Sequence, residues 1–362
     1  MFWSIFLSYR FVVLSLVVMM CGCHSSDQPK SHDDPYLLAG EKRLQNVRMF
    51  THGGENAEAY LSFNQKMIIF QSTRGEFSCD QQFIMDVDGS NQRLVSTGKG
   101  RTTCGYFLPG DSTVLYASTH MAAENCPPPP DMSRGYVWKL YDSFDIFMAN
   151  LHGTILKRLT DTPGYDAEAT VSPRGDKIVF TSLRDGDPEI YSMNLDGSHQ
   201  RRLTFEKGYD GGPFYSWDGK KIVFRASRPK SERELTDYQD LVQNGLVRPT
   251  TLEIFVMDAD GKNIQQVTHF GKASFAPFFH PDNDRIIFSS NVQSEDPRNF
   301  DLYLIQMDGS GLERITYNDT FDGFPIFSAD GKQLVFCSNR FSEKEGDTNI
   351  FIADWIEGEV AE

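Results

Sequence analysis

Two sets of polar residues recur at matched positions along this 362-residue chain. The first set consists of small polar residues: Asn56, Thr102, Asp166, Asp210, Ser274 and Asp322. The second set follows the next apolar segment and is mostly Arg: Arg74, His120, Arg184, Arg228, Val292 and Arg340. Carboxylates and guanidinium groups that converge could bind a peptide end, a carboxylated sugar or a cation. In the structural alternative, each Asp caps a tight turn and the Arg pairs with it to fix neighbouring units.

A sequence repeat decides whether these residues can meet. Six copies are anchored at Ser62, Leu108, Ser172, Ser216, His280 and Ser328, with spacings of 46, 64, 44, 64 and 48 residues. Each copy has an apolar strand after the anchor and a third strand that leads into a tight turn of Asp-Gly type. A four-strand repeat of this length predicts an all-β fold, a six-bladed β-propeller of four-stranded antiparallel blades. Both polar sets would then lie at one mouth of the central channel.

The two ends of the chain predict how the ring closes. The sixth copy stops after its third strand, Asn349–Ala353, and a matching fourth strand occurs at Asn46–Thr51. We expect the N-terminal strand to complete the last blade, because an open ring would leave an unpaired sheet edge. The propeller would then occupy residues 43–358 as a single domain.

Two copies carry insertions, which begin after second strands and so lie at the same mouth as the polar sets. Residues 120–144 contain the rigid Pro127–Pro130 run and nearby aromatic residues, and residues 228–252 have apolar residues at helical spacing. A shorter stretch covers residues 292–300. The insertions either cover the propeller and bury their own side chains, or they form a recognition wall for a peptide or sugar.

Charge and the N-terminal residues constrain the partner and the location. The net charge of −15 argues against a nucleic-acid partner, because phosphate binding needs clustered Lys and Arg. Residues 1–23 combine Arg10 with a short apolar run that ends at Cys23, which is typical of a bacterial lipoprotein signal with Cys23 lipidated. The alternative is an ordinary signal peptide. Residues 24–42 are predicted to be a flexible tether, and His24 favours the outer membrane.

Four cysteines follow the predicted signal. Cys79, Cys104 and Cys126 map to one end of the propeller, and export permits disulfides. We expect one disulfide among these three and favour Cys79–Cys104, because adjacent blades touch, although connectivity does not follow from sequence. Cys337 ends an apolar strand and is expected to be buried.

The sequence lacks residues that three catalytic or metal-binding motifs require. The stretches that begin at Asp86 and Asp258 resemble the start of a calcium loop, but they lack its later ligands. The histidines form no metal-spaced pair, and no G-x-S-x-G nucleophile motif occurs. We therefore expect no metal, no cofactor and no catalytic residue set.

The repeat resembles that of the TolB-type β-propeller family. The resemblance is clearest at residues 171–204, 216–228 and 328–340 and covers about residues 46–354. It implies the propeller fold. TolB also has a separate N-terminal α/β domain, which this chain is expected to lack. Related propellers form the gate of prolyl-oligopeptidase-like enzymes and an oligogalacturonate lyase, but the sequence offers neither the catalytic domain nor the histidine-rich metal site that these would need.

Two functional hypotheses follow. The first is a non-enzymatic binding module, a monomeric propeller anchored to the bacterial envelope by lipid alone, that binds an envelope protein, a peptide or an anionic glycan at the channel mouth. The second is a lyase or hydrolase of anionic oligosaccharides. In that enzyme Arg184, Arg228 and Arg340 would bind carboxylates, and His120 or an Asp would move protons.

Overall fold

The computed structural model describes residues 34–358. The predicted signal, the predicted lipidation site Cys23 and the first ten residues of the predicted tether lie outside the described residues. The chain forms six four-stranded antiparallel sheets, each one a blade of a propeller, as the repeat predicts. In blades 1 to 5 the strand nearest the channel comes first in sequence.

The first three blades follow the N-terminal strand β1 (Leu44–Met49). Blade 1 consists of β2 (Glu55–Leu61), β3 (Met67–Thr73), β4 (Gln81–Asp86) and β5 (Arg93–Leu94). Blade 2 consists of β6 (Thr102–Phe107), β7 (Thr113–Ser118), β9 (Asp145–Asn150) and β10 (Ile155–Arg158), with a short 3₁₀ helix (Met132–Arg134) and β8 (Trp138–Lys139) in its insertion. Blade 3 consists of β11 (Asp166–Val171), β12 (Lys177–Ser182), β13 (Glu189–Asn194) and β14 (Arg201–Arg202).

The last three blades complete the ring. Blade 4 consists of β15 (Asp210–Tyr215), β16 (Lys221–Ala226), β18 (Glu253–Asp258) and β19 (Gln265–Gln266), with α1 (Glu232–Gln243) and β17 (Leu246–Val247) in its insertion. Blade 5 consists of β20 (Ser274–Phe279), β21 (Arg285–Ser290), β22 (Asp301–Gln306) and β23 (Glu313–Arg314). Blade 6 consists of β24 (Asp322–Phe327), β25 (Gln333–Ser338) and β26 (Asn349–Trp355), and β1 is its fourth strand.

The second and third strands of each blade are apolar on both faces because neighbouring blades cover both. In β12, for example, Ile178, Val179 and Phe180 follow one another and are all fully buried. A short continuous apolar run of this kind is typical of a strand between two packed layers. The core of the protein therefore lies between the blades rather than inside any one of them.

A repeated hydroxyl clamp shows why β1 belongs to blade 6. In blade 3 the backbone N–H of Ile190 donates to Thr204 Oγ at 2.9 Å, and in blade 4 that of Ile254 donates to Thr268 Oγ at 2.9 Å. In blade 6 the same bond runs from Ile350 N–H to Thr51 Oγ, also at 2.9 Å. Thr51 therefore accepts in the last blade the hydrogen bond that Thr204 and Thr268 accept in blades 3 and 4. The predicted closure is confirmed.

The segment before β1 packs against the propeller, which corrects the predicted extent of the tether. Leu38 and Glu41 are buried, and the Glu41 carboxylate accepts hydrogen bonds from both terminal nitrogens of Arg340, at 2.7 and 3.0 Å. Arg43 pairs with Glu313 of blade 5 at 2.7 Å. Residues 34–42 are therefore part of the folded domain.

The two large insertions meet above blade 3. Strand β8 pairs with β17, and α1 begins at Ser231, whose hydroxyl accepts from Glu234 N–H as an N-cap. Val137, Leu241 and Leu246 form a small apolar core between the insertions. We call this joint unit, residues 120–144 and 228–252, the lid. Among the described residues, no helix has the length and apolar character needed to cross a bilayer.

Within the part of the chain that the structure describes, one disulfide is present, between Cys79 and Cys126, with a Cα–Cα distance of 6.0 Å. The favoured pairing Cys79–Cys104 is wrong. Cys104 is a free thiol that lines the channel, because it lies within the first strand of blade 2 rather than at its rim. Cys337 is buried, as predicted.

Candidate functional site

The predicted polar ring exists, but its members bind one another. Asp166 pairs with Arg184 at 2.8 Å, Asp210 with Arg228 at 2.6 Å, and Asp322 with Arg340 at 2.8 Å. Asn56 accepts a hydrogen bond from Arg74 in the same arrangement. Each pair joins the first strand of a blade to the residues after its second strand, so the pairing lies within one blade and not between neighbours.

The two blades without an Arg also lack its partner. In blade 2 the positions hold Thr102 and His120, and in blade 5 they hold Ser274 and Val292. His120 contacts Ser118 Oγ at 2.8 Å and the ring of Phe147 at 4.4 Å, and Ser274 contacts Ser290 at 3.0 Å. Such paired replacement is the behaviour of a structural contact, because a buried Arg without its acceptor would be an uncompensated charge.

The Arg side chains of the ring are enclosed on their remaining faces. The Arg184 guanidinium lies 5.4 Å from the ring centre of Phe180 and 4.8 Å from that of Tyr191, within cation–π range. Arg340 is fully buried between Asp322, Glu41 and Phe336. The three Arg residues that the enzyme hypothesis needs for substrate carboxylates therefore already hold carboxylates of the protein.

His120 is only half buried. Desolvation, and then the positive charges of Arg158 and Lys99, lower its pKa. The imidazole is therefore neutral at pH 7, and its ring packs on Phe147 instead of facing a carboxylate.

The lid covers the mouth at which the ring lies. Trp138 of the lid lies 5.1 Å from the guanidinium carbon of Arg225 and 6.5 Å from the ring centres of both Tyr209 and Phe275. Val247 and Leu252 are buried in the same cluster, with Phe300 and Phe321 packed beside it. The insertions therefore cover this mouth of the propeller.

Beneath the lid, a second ring of residues lines the channel itself. Every first strand has a β-bulge, and the third residue of the strand in blades 2 to 6, or the fourth in blade 1, has a positive φ of 50–59°. These residues are Glu58, Cys104, Glu168, Gly212, Ala276 and Phe324, and all of them line one small cavity on the axis. The left-handed conformation is costly for residues other than Gly, so the propeller packing must impose it. Periodicity in the sequence gives no sign of this ring.

The two carboxylates in this chamber differ in their partners. Glu168 accepts from Thr181 Oγ at 2.7 Å and Gly212 N–H at 2.8 Å, and it pairs with Arg225. Glu58 has a side-chain oxygen, Oε2, that is enclosed without a hydrogen-bond partner in the protein. Burial raises the pKa of Glu58 to about 7. The chamber has a volume of about 20 Å³, room for about one water molecule.

The opposite mouth, formed by the turns between first and second strands, is open. Tyr60, Tyr106, Phe214 and Phe278 close the channel below the chamber. The ring centres of Tyr60 and Tyr106 are 5.3 Å apart in a tilted arrangement, and those of Phe214 and Phe278 are 5.3 Å apart edge to face. Outside this plug lies a cavity of about 280 Å³. Its lining is mainly apolar and aromatic and includes Phe63, Tyr106, Phe214, Trp217 and Phe278. We call it the aromatic funnel.

A further cleft, of about 510 Å³, lies between α1 and the edge of blade 3. Its buried Asp187 carboxylate accepts a hydrogen bond from Tyr238 at 2.5 Å and pairs with Lys207 at 3.1 Å. The charge of this cleft is therefore satisfied by the protein itself. Within residues 34–358, no three His, Cys, Asp or Glu side chains are grouped so that they could hold a metal ion.

Comparison with known proteins places the chain in a family. The model of the TolB β-propeller domain matches residues 130–247 and 246–362. The chain belongs to the TolB-type β-propeller family. The match begins within the blade 2 insertion and covers the last two strands of blade 2, blades 3 to 5 with the blade 4 insertion, and the three blade 6 strands that follow.

Solved structures agree on the fold. A protein of Agrobacterium tumefaciens assigned as TolB is 19% identical, with a TM-score of 0.56 over 84% of this chain and 91% of its own. TolB from Acinetobacter baumannii is 18% identical, with a TM-score of 0.55, and the match covers 84% of this chain but only 65% of that protein. Hydrazine synthase from Kuenenia stuttgartiensis is 14% identical, with a TM-score of 0.53 over 72% of this chain and 38% of its own. At such identities the likeness concerns the fold alone.

The ion pairs of this TolB-type propeller should be structural. Arg340→Ala would leave the buried carboxylates of Glu41 and Asp322 facing each other, so we expect a loss of about 3–5 kcal/mol in the free energy of unfolding. Arg298→Ala is the matched control, because its side chain is 88% exposed and its pair with Asp296 should contribute about 0–1 kcal/mol. Urea denaturation measures both. Equal, small losses would contradict a structural role.

Glu58 should make stability depend on pH. Its folded-state pKa of about 7 exceeds the ordinary value of 4.5, so the folded protein binds this proton more tightly than the unfolded chain does. Stability from this group is complete below about pH 4.5 and is lost as the pH rises to about 7. Glu58→Gln should therefore be more stable than wild type at pH 8, by roughly 1–3 kcal/mol, and about equal at pH 5. Glu76→Gln, at an exposed position, should show no such difference in thermal melts at the two pH values.

Proposed function

We propose that this chain is a non-enzymatic binding module of the bacterial envelope, which binds an apolar peptide segment of a protein partner in the aromatic funnel. The envelope location and the lipid anchor at Cys23 rest on the lipoprotein-type signal in residues 1–23. The TolB-type fold supports a binding propeller. The observation that carries the proposal is the open cavity of about 280 Å³ at the face opposite the lid.

The chemistry of the funnel favours an apolar occupant. Large aromatic side chains supply much contact area at little cost in conformational entropy, which is why they dominate binding surfaces. The Trp217 indole N–H donates to the Phe279 carbonyl at 3.0 Å, and its ring packs 5.8 Å from Phe278, so this side chain is held in place before any partner arrives. A fixed aromatic wall lowers the ordering cost of binding.

The size and charge of the funnel narrow the class of partner. Its volume is near the lower end of the range for ligand pockets, about 300–1,000 Å³, which suits a short segment with one or two large side chains. Its lining contains no Arg or Lys. An anionic glycan would find no cation there, and at the other mouth the ring Arg residues are already paired. A peptide is therefore the better-supported partner. The binding face proposed here is the mouth opposite to the one predicted from the sequence.

A peptide-display selection against the intact protein tests this assignment. We expect enriched peptides to carry aromatic or large aliphatic residues and to bind with micromolar dissociation constants. Trp217→Ala should weaken their binding at least about tenfold, because loss of a buried aromatic anchor costs about 2 kcal/mol or more.

Phe205→Ala is the matched control. Phe205 is 70% exposed on the outer edge of blade 3, away from the funnel, so its loss should leave binding unchanged. If the selected peptides bind Trp217→Ala as tightly as wild type, or if selection yields only acidic or polar peptides, the funnel is not the binding site.

A further inference from the structure

The Cys79–Cys126 disulfide joins the wall of the propeller to the lid. Cys79 lies just before β4 in blade 1 and is buried, whereas Cys126 belongs to the blade 2 insertion and is half exposed. The bridge spans 47 residues of sequence. It is therefore a covalent link between blade 1 and a unit that otherwise grows out of blades 2 and 4.

The two insertions of the lid bind each other, and the lid also packs on the blades through the cluster around Trp138 and Val247. Leu140 N–H donates to the Gly245 carbonyl at 2.8 Å, and Arg134 pairs with Asp237 at 2.9 Å, so each insertion holds the other. Tyr141 Oη donates to the Pro128 carbonyl at 2.8 Å. This last bond connects the rigid proline run, which directly follows Cys126, to the part of the lid that carries Trp138.

The other contacts near Cys126 are weak. Glu124 pairs with Lys99 at an exposed position, and its carbonyl accepts from Gly100 N–H at 2.8 Å. Exposed ion pairs and single hydrogen bonds each contribute little net stability, whereas a disulfide that closes a loop of this length typically contributes several times as much. The bridge is thus the main restraint at this end of the lid.

We propose that the Cys79–Cys126 disulfide is a reducible latch that keeps the lid seated, so that the chamber lined by Glu58, Cys104 and Glu168 becomes reachable through the lidded mouth when the bridge is reduced. The lid and its latch lie at the mouth opposite the aromatic funnel. The protein would then have two states. In one the channel is open only at the funnel mouth, and in the other it is open at both mouths.

The chemistry needs an external dithiol as the reductant. One of its thiolates attacks Cys126 Sγ, the sulfur on the half-exposed residue, and Cys79 leaves as a thiolate that takes up a proton. The second thiol of the dithiol then attacks the mixed disulfide and releases Cys126 as a thiol. Two electrons and two protons pass to the protein, and the dithiol becomes a cyclic or intramolecular disulfide.

Cys104 provides a natural reporter of lid opening. In the latched protein its thiol faces the chamber, where burial raises the pKa well above the usual range, so it should react very slowly with a maleimide. After reduction with dithiothreitol, or in the double variant Cys79→Ser/Cys126→Ser, the labelling rate of Cys104 should rise at least about tenfold as local opening becomes cheaper. Peptide mapping by mass spectrometry reads each cysteine separately.

Cys337 is the internal control, since it is a second free thiol, fully buried between blades 6 and 1 and away from the lid. Faster labelling of Cys104 with Cys337 still protected supports the latch. Two results overturn it: Cys104 staying protected in both the reduced protein and the double variant, or Cys104 and Cys337 becoming reactive together, which would mean global unfolding. Trp138→Ala with the bridge intact should also speed the labelling of Cys104, because it removes a lid side chain that packs on Arg225, a residue that lines the chamber.

Discussion

Each blade of this propeller needs a neighbouring blade on both of its faces, and the other features of the molecule follow from this constraint. The middle strands of each sheet are apolar on both faces, so a blade at the end of an open row would expose one whole face to water. Closing the ring removes that exposure for all six blades at once. The last blade lacks a fourth strand of its own, and β1 supplies it with the Thr51 clamp. The buried Glu41–Arg340–Asp322 contact then fixes the segment that precedes this strand.

The same constraint accounts for the fate of the charged ring. Residues at the start of the first strands are enclosed by the preceding blade, whose carbonyl groups accept their backbone N–H groups, as Phe300 does for Asp322 at 2.7 Å. Carboxylates enclosed in this way need a cation, and the Arg 18 residues later in the same blade provides it. The ring is therefore part of the framework, and the parts of the molecule free to act are the lid, the chamber and the aromatic funnel.

Much of this architecture could be predicted from the sequence, because the repeat fixes blade number, strand order and closure. It also placed both polar sets and both insertions at one mouth. The Asp–Arg pairing also follows from the sequence as the structural alternative, although the pairs lie within single blades and do not join neighbouring ones. The residues that line the channel could not be predicted in this way. A left-handed residue in a bulge leaves no mark on hydrophobic periodicity, so the sequence does not identify Glu58, Cys104 and Glu168 as channel residues.

The disulfide pairing could not be predicted from the sequence for the same reason. Position in the repeat put Cys104 near the rim, but the bulge turns it toward the axis, and its place beside Cys79 is taken by Cys126 from the insertion. The aromatic funnel could not be predicted from the sequence for another reason. Its aromatic residues come from the ends of five different first strands and the turns after them, and each alone is indistinguishable in sequence from a core residue. Only the closed ring brings them together at an open surface.

The central claim is that this propeller binds through the face opposite its lid. Hydrogen–deuterium exchange with and without a selected peptide tests it most directly, because it locates the contact without altering the protein. The account predicts new protection in the turns of the funnel, around residues 62–67, 171–177 and 214–221, with unchanged exchange in residues 120–144 and 228–252. Protection confined to the lid, with the funnel turns unaffected, would contradict it.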